Sequence, residues 1–220
     1  LAVDALLKDR LMSARPDYGW LSEETPDGPD RLTRDRVWMV DPIDGTRAFL
    51  KGRPEFTVCA GLVENGRPVA GTVCNPAADE FFEAQLGAGA RLNGETISVG
   101  GGTRLTNARI LASPRPSRLG KKNEANSESP FGQAQFASVN SIAYRIVLVA
   151  LGRFDATISL QPKSDWDIAA AELILQEAGG VITDRSGAPY SYNREDVRHT
   201  GVIAAAPDLH AEILGALAAT

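Results

Sequence analysis

At 220 residues, with 43% hydrophobic and 23% charged residues, the chain can bury a sizeable core as one domain or two small ones. A net charge of -5 argues against binding a nucleic-acid polymer, which needs a basic excess, and no apolar run approaches the ~20 residues of a membrane span. Two cysteines, Cys59 and Cys74, cannot build a disulfide framework or a cysteine metal cage, so a reducing, cytoplasmic location is expected.

Residues 1–14 place Val3, Leu6, Leu7 and Leu11 at helical spacing, with Asp4, Lys8, Asp9 and Arg10 elsewhere, which predicts an amphipathic helix. It begins without an N-cap, so the natural chain is expected to extend upstream; no signal peptide is legible. Pro16 and Gly19 end the helix. A short apolar segment, Trp20-Leu21, leads into Ser22-Glu23-Glu24, and the polar stretch from Pro26 to Arg36 reads as a loop. Val37 to Val40 predicts a buried strand, followed on a turn by Asp41-Pro42-Ile43-Asp44-Gly45-Thr46. Phe56 to Val63 and Val69 to Cys74 are strand-like, and Asn65-Gly66 between them is a strong hairpin turn. A two-residue turn there sets Cys59 opposite Thr72 and only diagonal to Cys74, too far for a comfortable bridge.

Glu80 to Gln85 predicts another strand, with turns at Gly87, Gly89 and Asn93-Gly94. The run Gly100-Gly101-Gly102 and the segment after it read as a junction between an N-terminal α+β subdomain, 1–107, and a C-terminal α/β subdomain, 108–220. Beyond it come a strand at 109–112, a long polar loop from Pro114 to Pro130, a strand at 136–139, a helix at 141–151 and a strand at 154–160, a βαβ-like alternation. A helix then opens at Ser164-Asp165-Trp166-Asp167, with Ile168, Ala171, Leu175 and Ala178 on its buried face and Gly179-Gly180 at its end. Strands at 181–183 and 201–206 and a terminal helix from Pro207 complete the chain. His199 and His210 sit in unremarkable contexts and are expected at the surface.

Four acids stand at element ends: Glu23, Asp41, Asp44 and Asp167. Asp41 and Asp44 are three apart, with Pro42 stiffening the backbone between them. Carboxylates without nearby histidine or cysteine favour Mg²⁺ or Mn²⁺ over zinc. Each acid alone has a plainer reading: Asp167 as a helix-dipole partner, Glu23 as a solvated loop residue, Asp41 to Thr46 as a capped turn. Together they describe more, because Gly45 and Thr46 would aim backbone N–H groups toward an anion beside the two aspartates.

Here the chain resembles the inositol monophosphatase superfamily. Asp41-Pro42-Ile43-Asp44-Gly45-Thr46 looks like its metal-binding signature, Trp166 to Ala171 with Glu177 to Gly180 like its second signature, and Ser22-Glu23-Glu24 like its upstream acidic pair. The resemblance implies a mixed α+β, layered αβαβα sandwich of the inositol monophosphatase/fructose-1,6-bisphosphatase type. It also implies Mg²⁺-dependent, lithium-sensitive hydrolysis of phosphate monoesters by water. Carried across, Glu23, Asp41, the Ile43 carbonyl, Asp44 and Asp167 bind two or three Mg²⁺ ions, for which Mn²⁺ could substitute. Glu23, Asp44 and Thr46 form the catalytic set, Glu23 and Thr46 orienting the water. The amides of Gly45 and Thr46 hold the phosphate, and Asp167 also borders the substrate. Family members are often dimers, so a homodimer is compatible with the resemblance, although no interface is legible. The family usually carries a helix and a further metal-ligating Asp just upstream of the position of Leu1.

Substrate choice rests on other positions. Inositol-specific members commonly carry a Glu where this chain has Leu160. The segments 47–52 and 55–58 look more like the bacterial 3'(2'),5'-bisphosphate nucleotidase branch, in which Arg145 would contact a second phosphate and Lys163 is better read as a surface residue. A nucleotidase converting 3'-phosphoadenosine 5'-phosphate to AMP and phosphate is therefore the expected activity. Inositol-1-monophosphatase or another small sugar or polyol phosphatase is the alternative. A non-catalytic regulatory binding protein on the same fold is disfavoured by the intact set of Glu23, Asp41, Asp44, Thr46 and Asp167.

Overall fold

A computed structural model of the chain describes residues 2–112 and 131–219. The loop expected from Pro114 to Pro130 lies outside the described residues. In chain order the elements are α1 (Ala2–Ala14), β1 (Gly19–Ser22), β2 (Arg36–Asp44), α2 (Thr46–Phe49), β3 (Thr57–Glu64), β4 (Arg67–Asn75), β5 (Glu80–Gln85), β6 (Ala90–Leu92), β7 (Glu95–Ile97), β8 (Arg109–Ala112), β9 (Gln135–Ser138), α3 (Ile142–Ala150), β10 (Ala156–Ser159), β11 (Lys163–Ser164), α4 (Asp165–Glu177), β12 (Val181–Thr183), β13 (Arg198–His199), β14 (Val202–Ala205) and α5 (Pro207–Ala218).

Strands β1 to β7 form one sheet in sequence order, antiparallel throughout except for the parallel pair β1 and β2. A second, mixed sheet runs β12-β14-β10-β8-β9, and β11 pairs with β13. The βαβ expectation is met by β9, α3 and β10, with β8 parallel to both strands between them.

Strand parity sorts the helices into layers. Gly61 and Gly71 lie opposite each other, and each approaches the backbone of Ala170 on α4 so closely that an added Cβ would sit 3.1 Å and 2.7 Å from it. That face of the first sheet therefore carries α4. The opposite face carries α1, whose Lys8 ammonium lies over the Trp20 ring. Between the sheets, α3 and α4 join Leu111, Ile182, Val202 and Ala204 in the main core. On the far side of the second sheet, Ile110, Ile158 and Ile203 pack against Leu209 and Ile213 of α5. The result is the αβαβα order. Every residue of α3 is buried, and such burial contributes roughly 1.5–3 kcal/mol for each large apolar side chain.

Several expectations are corrected. Asp4, not a leucine, is the side chain that α1 buries, while Leu6 is 57% exposed. Both histidines are buried: His199 Nε2 meets Asp165 Oδ1 at 2.6 Å against the Tyr190 and Tyr192 rings, and His210 meets Thr183 Oγ1 at 3.0 Å. Their partners are distant in sequence, so nothing in the local context announces burial. Asn65 and Gly66 do form the turn, with φ of 49° and 77°. A bulge at Val69 then shifts the register, so that Cys59 faces Val73 and Cys74 faces Val58. The two thiols are thus on opposite faces of the sheet and both are free. The short strands β6 and β7 fill a stretch that reads only as turns, and a 3-10 turn at Pro29–Thr33 interrupts the expected loop.

Candidate active site

The motif is not a turn beyond β2 but its irregular end. The ladder with β3 pairs Asp41 with Cys59 and resumes at Asp44 with Thr57, skipping Pro42 and Ile43. Pro42 has no N–H to contribute. The orphaned Ile43 N–H instead donates to Asp41 Oδ1 at 2.9 Å. Gly45 follows at φ 92°, where a Cβ would lie 2.8 Å from the Glu55 carbonyl and 3.2 Å from Ser141, so only glycine fits. It opens α2, and the Thr46 hydroxyl donates back to the Ile43 carbonyl at 3.0 Å. With its proton spent there, the Thr46 oxygen is left to accept.

Asp44 is held from the other side of the molecule. Its Oδ2 accepts from Ser141 Oγ at 2.6 Å and from the Ala143 N–H at 2.7 Å, at the N-terminus of α3. Ser141 is also the N-cap of that helix, accepting from Tyr144 N at 2.9 Å, and Thr57 Oγ1 lies 3.0 Å from it. Asp167 spends Oδ2 on the Ser164 N–H at 2.8 Å, closing a capping box at the start of α4, while its charge reaches Asp44. Glu23 continues β1, its N–H reaching the Val40 carbonyl at 3.3 Å, which sets it beside Asp41.

Electrostatics ties the four acids together. Burial first, then the charges of Asp44, Glu23 and Asp167, push Asp41 up to about 10. Burial and Asp44 push Asp167 up to about 7. Asp44 is raised by burial against the pull of Ser141, Ala143 and Arg145. Glu23, exposed at the rim, is raised by its partial desolvation and by Glu24 and Asp44, and lowered by a hydrogen bond to Asp41. Among the described residues no three His, Cys, Asp or Glu side chains converge at ready-made metal spacing. The acids nonetheless act on one another; Asp41 and Asp167 each direct one oxygen to a nearby backbone N–H, and Asp44 directs one to Ser141 and Ala143 of the distant α3 end. Mutual repulsion of this kind is what a hard cation relieves, and the donors are carboxylate and carbonyl oxygens, the set suited to Mg²⁺. Cys59 is buried below them, and burial keeps its thiol protonated, so it adds no thiolate.

The other expected site residues fall as follows. Arg145 is buried on α3, its Nε 3.4 Å from the Ser141 carbonyl, and burial lowers it to about 10 while Asp44 raises it. It is neither a surface residue nor freely presented to solvent. Lys163 is half-buried in β11, and its charge lowers Asp167. Leu160 follows β10 and packs partly against the core below α5. Ser141 and Thr57 were not legible as site residues, because only the fold brings them to Asp44.

The inositol monophosphatase family model matches residues 1–220. The chain belongs to the inositol monophosphatase family. Members of this family are metal-dependent phosphatases, and the chain is accordingly a metal-dependent phosphoric monoester hydrolase. An inositol-1-monophosphatase of Rhizobium meliloti (strain 1021) is 36% identical over 191 residues, covering 84% of this chain and 70% of that protein. The Nus factor SuhB of Xylella fastidiosa (strain Temecula1 / ATCC 700964) is 35% identical over 192 residues, covering 86% and 68%. Among solved structures, the extragenic suppressor protein suhB from Bartonella henselae superposes with a TM-score of 0.82 at 30% identity, covering 98% of this chain and 85% of that one. An inositol monophosphate-bound SaIMPase-II gives 0.82 at 25% identity, covering 97% and 81%. Among the described residues no helix is long and apolar enough to cross a membrane.

Proposed function

We propose that this member of the family is a Mg²⁺-dependent 3'(2'),5'-bisphosphate nucleotidase, releasing phosphate and AMP from 3'-phosphoadenosine 5'-phosphate. The observation that carries the chemistry is the mutual charge coupling of Asp41, Asp44, Asp167 and Glu23 around one strand end. In this reading these acids and the Ile43 carbonyl hold two or three Mg²⁺ ions, and Mn²⁺ substitutes. Bound there, the metal would lower the pKa of the attacking water and neutralise charge on the leaving oxygen.

The chain's own groups do the rest. Thr46, whose proton is committed to Ile43, accepts from the water, and the Glu23 carboxylate fixes the water's second hydrogen. The N–H groups of Gly45, the N-cap, and Thr46, the first residue of α2, have no partner inside that helix and take the phosphate oxygens. Asp44 is held rigid by Ser141 and Ala143, and Asp167 borders the substrate. Residues 1–107 supply Glu23, Asp41, Ile43 and Asp44, and 108–220 supply Asp167 and the substrate contacts.

Substrate choice rests on Leu160, whose side chain cannot accept a hydrogen bond from a polyol hydroxyl. Arg145, buried on α3 with its charge reaching Asp44, is the residue that takes the second phosphate, and Lys163, whose charge reaches Asp167, stays at the half-buried edge of the site. A second reading, inositol-1-phosphate hydrolysis, is favoured by the relatives that carry that name at 36% and 38% identity. A phosphate-release panel separates them: adenosine 3',5'-bisphosphate, inositol 1-phosphate, fructose bisphosphate and a histidinol-type phosphate, with and without Mg²⁺ and lithium. The expected result is Mg²⁺-dependent, lithium-sensitive release with the highest kcat/KM for the adenosine bisphosphate. Preference for inositol 1-phosphate would replace the nucleotidase assignment, and hydrolysis of none would overturn the whole reading.

A further inference from the structure

Helix α1 docks through a carboxylate. Asp4 is 7% exposed and is the side chain that this helix buries, whereas Leu6 points out at 57%. Both Asp4 oxygens are used on residues that bracket Glu23. Ser22 Oγ donates to Oδ1, and Thr25 Oγ1 donates to Oδ2 at 2.9 Å. Each hydroxyl relays a second bond: Ser22 Oγ accepts the Glu24 N–H at 3.3 Å, and Thr25 Oγ1 accepts Trp20 Nε1 at 3.3 Å. On the far side, the Glu23 N–H is held by the Val40 carbonyl of β2. The backbone on either side of Glu23 is therefore tied, to α1 through Asp4 and to the Asp41 strand through Val40.

From this we infer that Asp4 is a positioning residue for Glu23. It fixes the segment 22–25 so that the Glu23 carboxylate faces Asp41, and so sets how tightly the site binds its cation. The inference rests on the metal-phosphatase reading of Glu23, and it extends that reading to a residue that touches neither metal nor substrate. A carboxylate suits the task because it offers a separate acceptor oxygen to each hydroxyl, whereas an amide would face one of them with an N–H donor and an apolar anchor would face both with nothing. Groups that orient metal ligands from behind typically change metal affinity or activity by about 10- to 100-fold when removed.

The test uses Asp4→Asn, close in shape but facing one of the two hydroxyls with an N–H donor, and Thr25→Val, which removes one arm outside the core. Mn²⁺ binding to the substrate-free protein is measured by electron paramagnetic resonance, alongside kcat, KM and thermal melting. Asp4→Asn is expected to weaken Mn²⁺ binding about tenfold and lower kcat, with KM for substrate little changed. Thr25→Val is expected to weaken Mn²⁺ by about threefold, and Asp4→Asn combined with Ser22→Ala to cost no more than the larger of the two single effects, because both hydroxyls act through the one Asp4 carboxylate. A lowered melting temperature with Mn²⁺ affinity unchanged in the folded variants would make Asp4 a mere anchor for α1 and overturn the inference. Should Asp4→Asn fail to fold, Thr25→Val decides alone. Wild-type protein that binds no Mn²⁺ would instead bring down the metal reading of Glu23 itself, an outcome distinct from normal binding in wild type and variants alike.

Discussion

Ser141 Oγ donates to Asp44 Oδ2 at 2.6 Å, although the two residues are 97 positions apart. One hydroxyl thus caps α3 and orients Asp44, the carboxylate proposed to bind the metal. Because its proton goes to Asp44, the Thr57 hydroxyl 3.0 Å away donates to it in turn. Ser141→Ala removes both functions. The cap is worth about 1 kcal/mol, read as a lower midpoint in urea unfolding. Loss of the Asp44 bond is expected to weaken Mg²⁺ activation roughly tenfold. A variant that loses stability while its Mg²⁺ dependence stays put would show that the contact serves only the helix.

The raised acids link stability to pH. Asp167 moves from its ordinary 3.8 up to about 7, and Asp41 from 3.8 up to about 10. A carboxyl raised in the folded state contributes stability that is full below its unfolded value and is lost as pH rises through the folded one. Metal-free protein is therefore destabilised at this site from about pH 4 upward, through about 7 for Asp167 and beyond for Asp41. Mg²⁺ binds the ionised forms, so the rise in melting temperature on adding Mg²⁺ should be larger at about pH 8 than at about pH 5. Taking the difference between loaded and metal-free protein cancels the other titrating groups. A Mg²⁺ increment that shrinks as pH rises would contradict the assignment of these acids as its ligands.

Leu160 gives the specificity prediction. Leu160→Glu puts a carboxylate just past β10, at a position whose leucine side chain offers no acceptor. The ratio of kcat/KM for inositol 1-phosphate to that for adenosine 3',5'-bisphosphate is expected to rise by about tenfold, the worth of one well-made polar contact. An unchanged ratio would remove Leu160 from the account of substrate choice.

The metal motif and its distant partner acid were legible in the sequence because each is local. Asp41 and Asp44 sit three apart beside a proline and a glycine, and Asp167 opens a helix whose buried face is periodic. Long periodic elements such as α3, α4 and α5 were legible for the same reason. What escaped were contacts that only the fold brings together: Asp4 with Ser22, His199 with Asp165, Ser141 with Asp44. The register error at Cys59 has a single cause, the extra residue Val69 beside Pro68, which a turn-based count cannot see. Strands of three residues, as in β6 and β7, are too short to show a period.

The central claim, that this cluster of acids runs a metal-dependent phosphatase, is tested most directly by Asp44→Asn. The substitution keeps the side chain's shape and its place against Ser141 and Ala143, and removes the charge. Phosphate release from adenosine 3',5'-bisphosphate at saturating Mg²⁺ should fall by at least about 100-fold while circular dichroism shows the fold unchanged. Turnover equal to wild type in the folded variant would contradict the account.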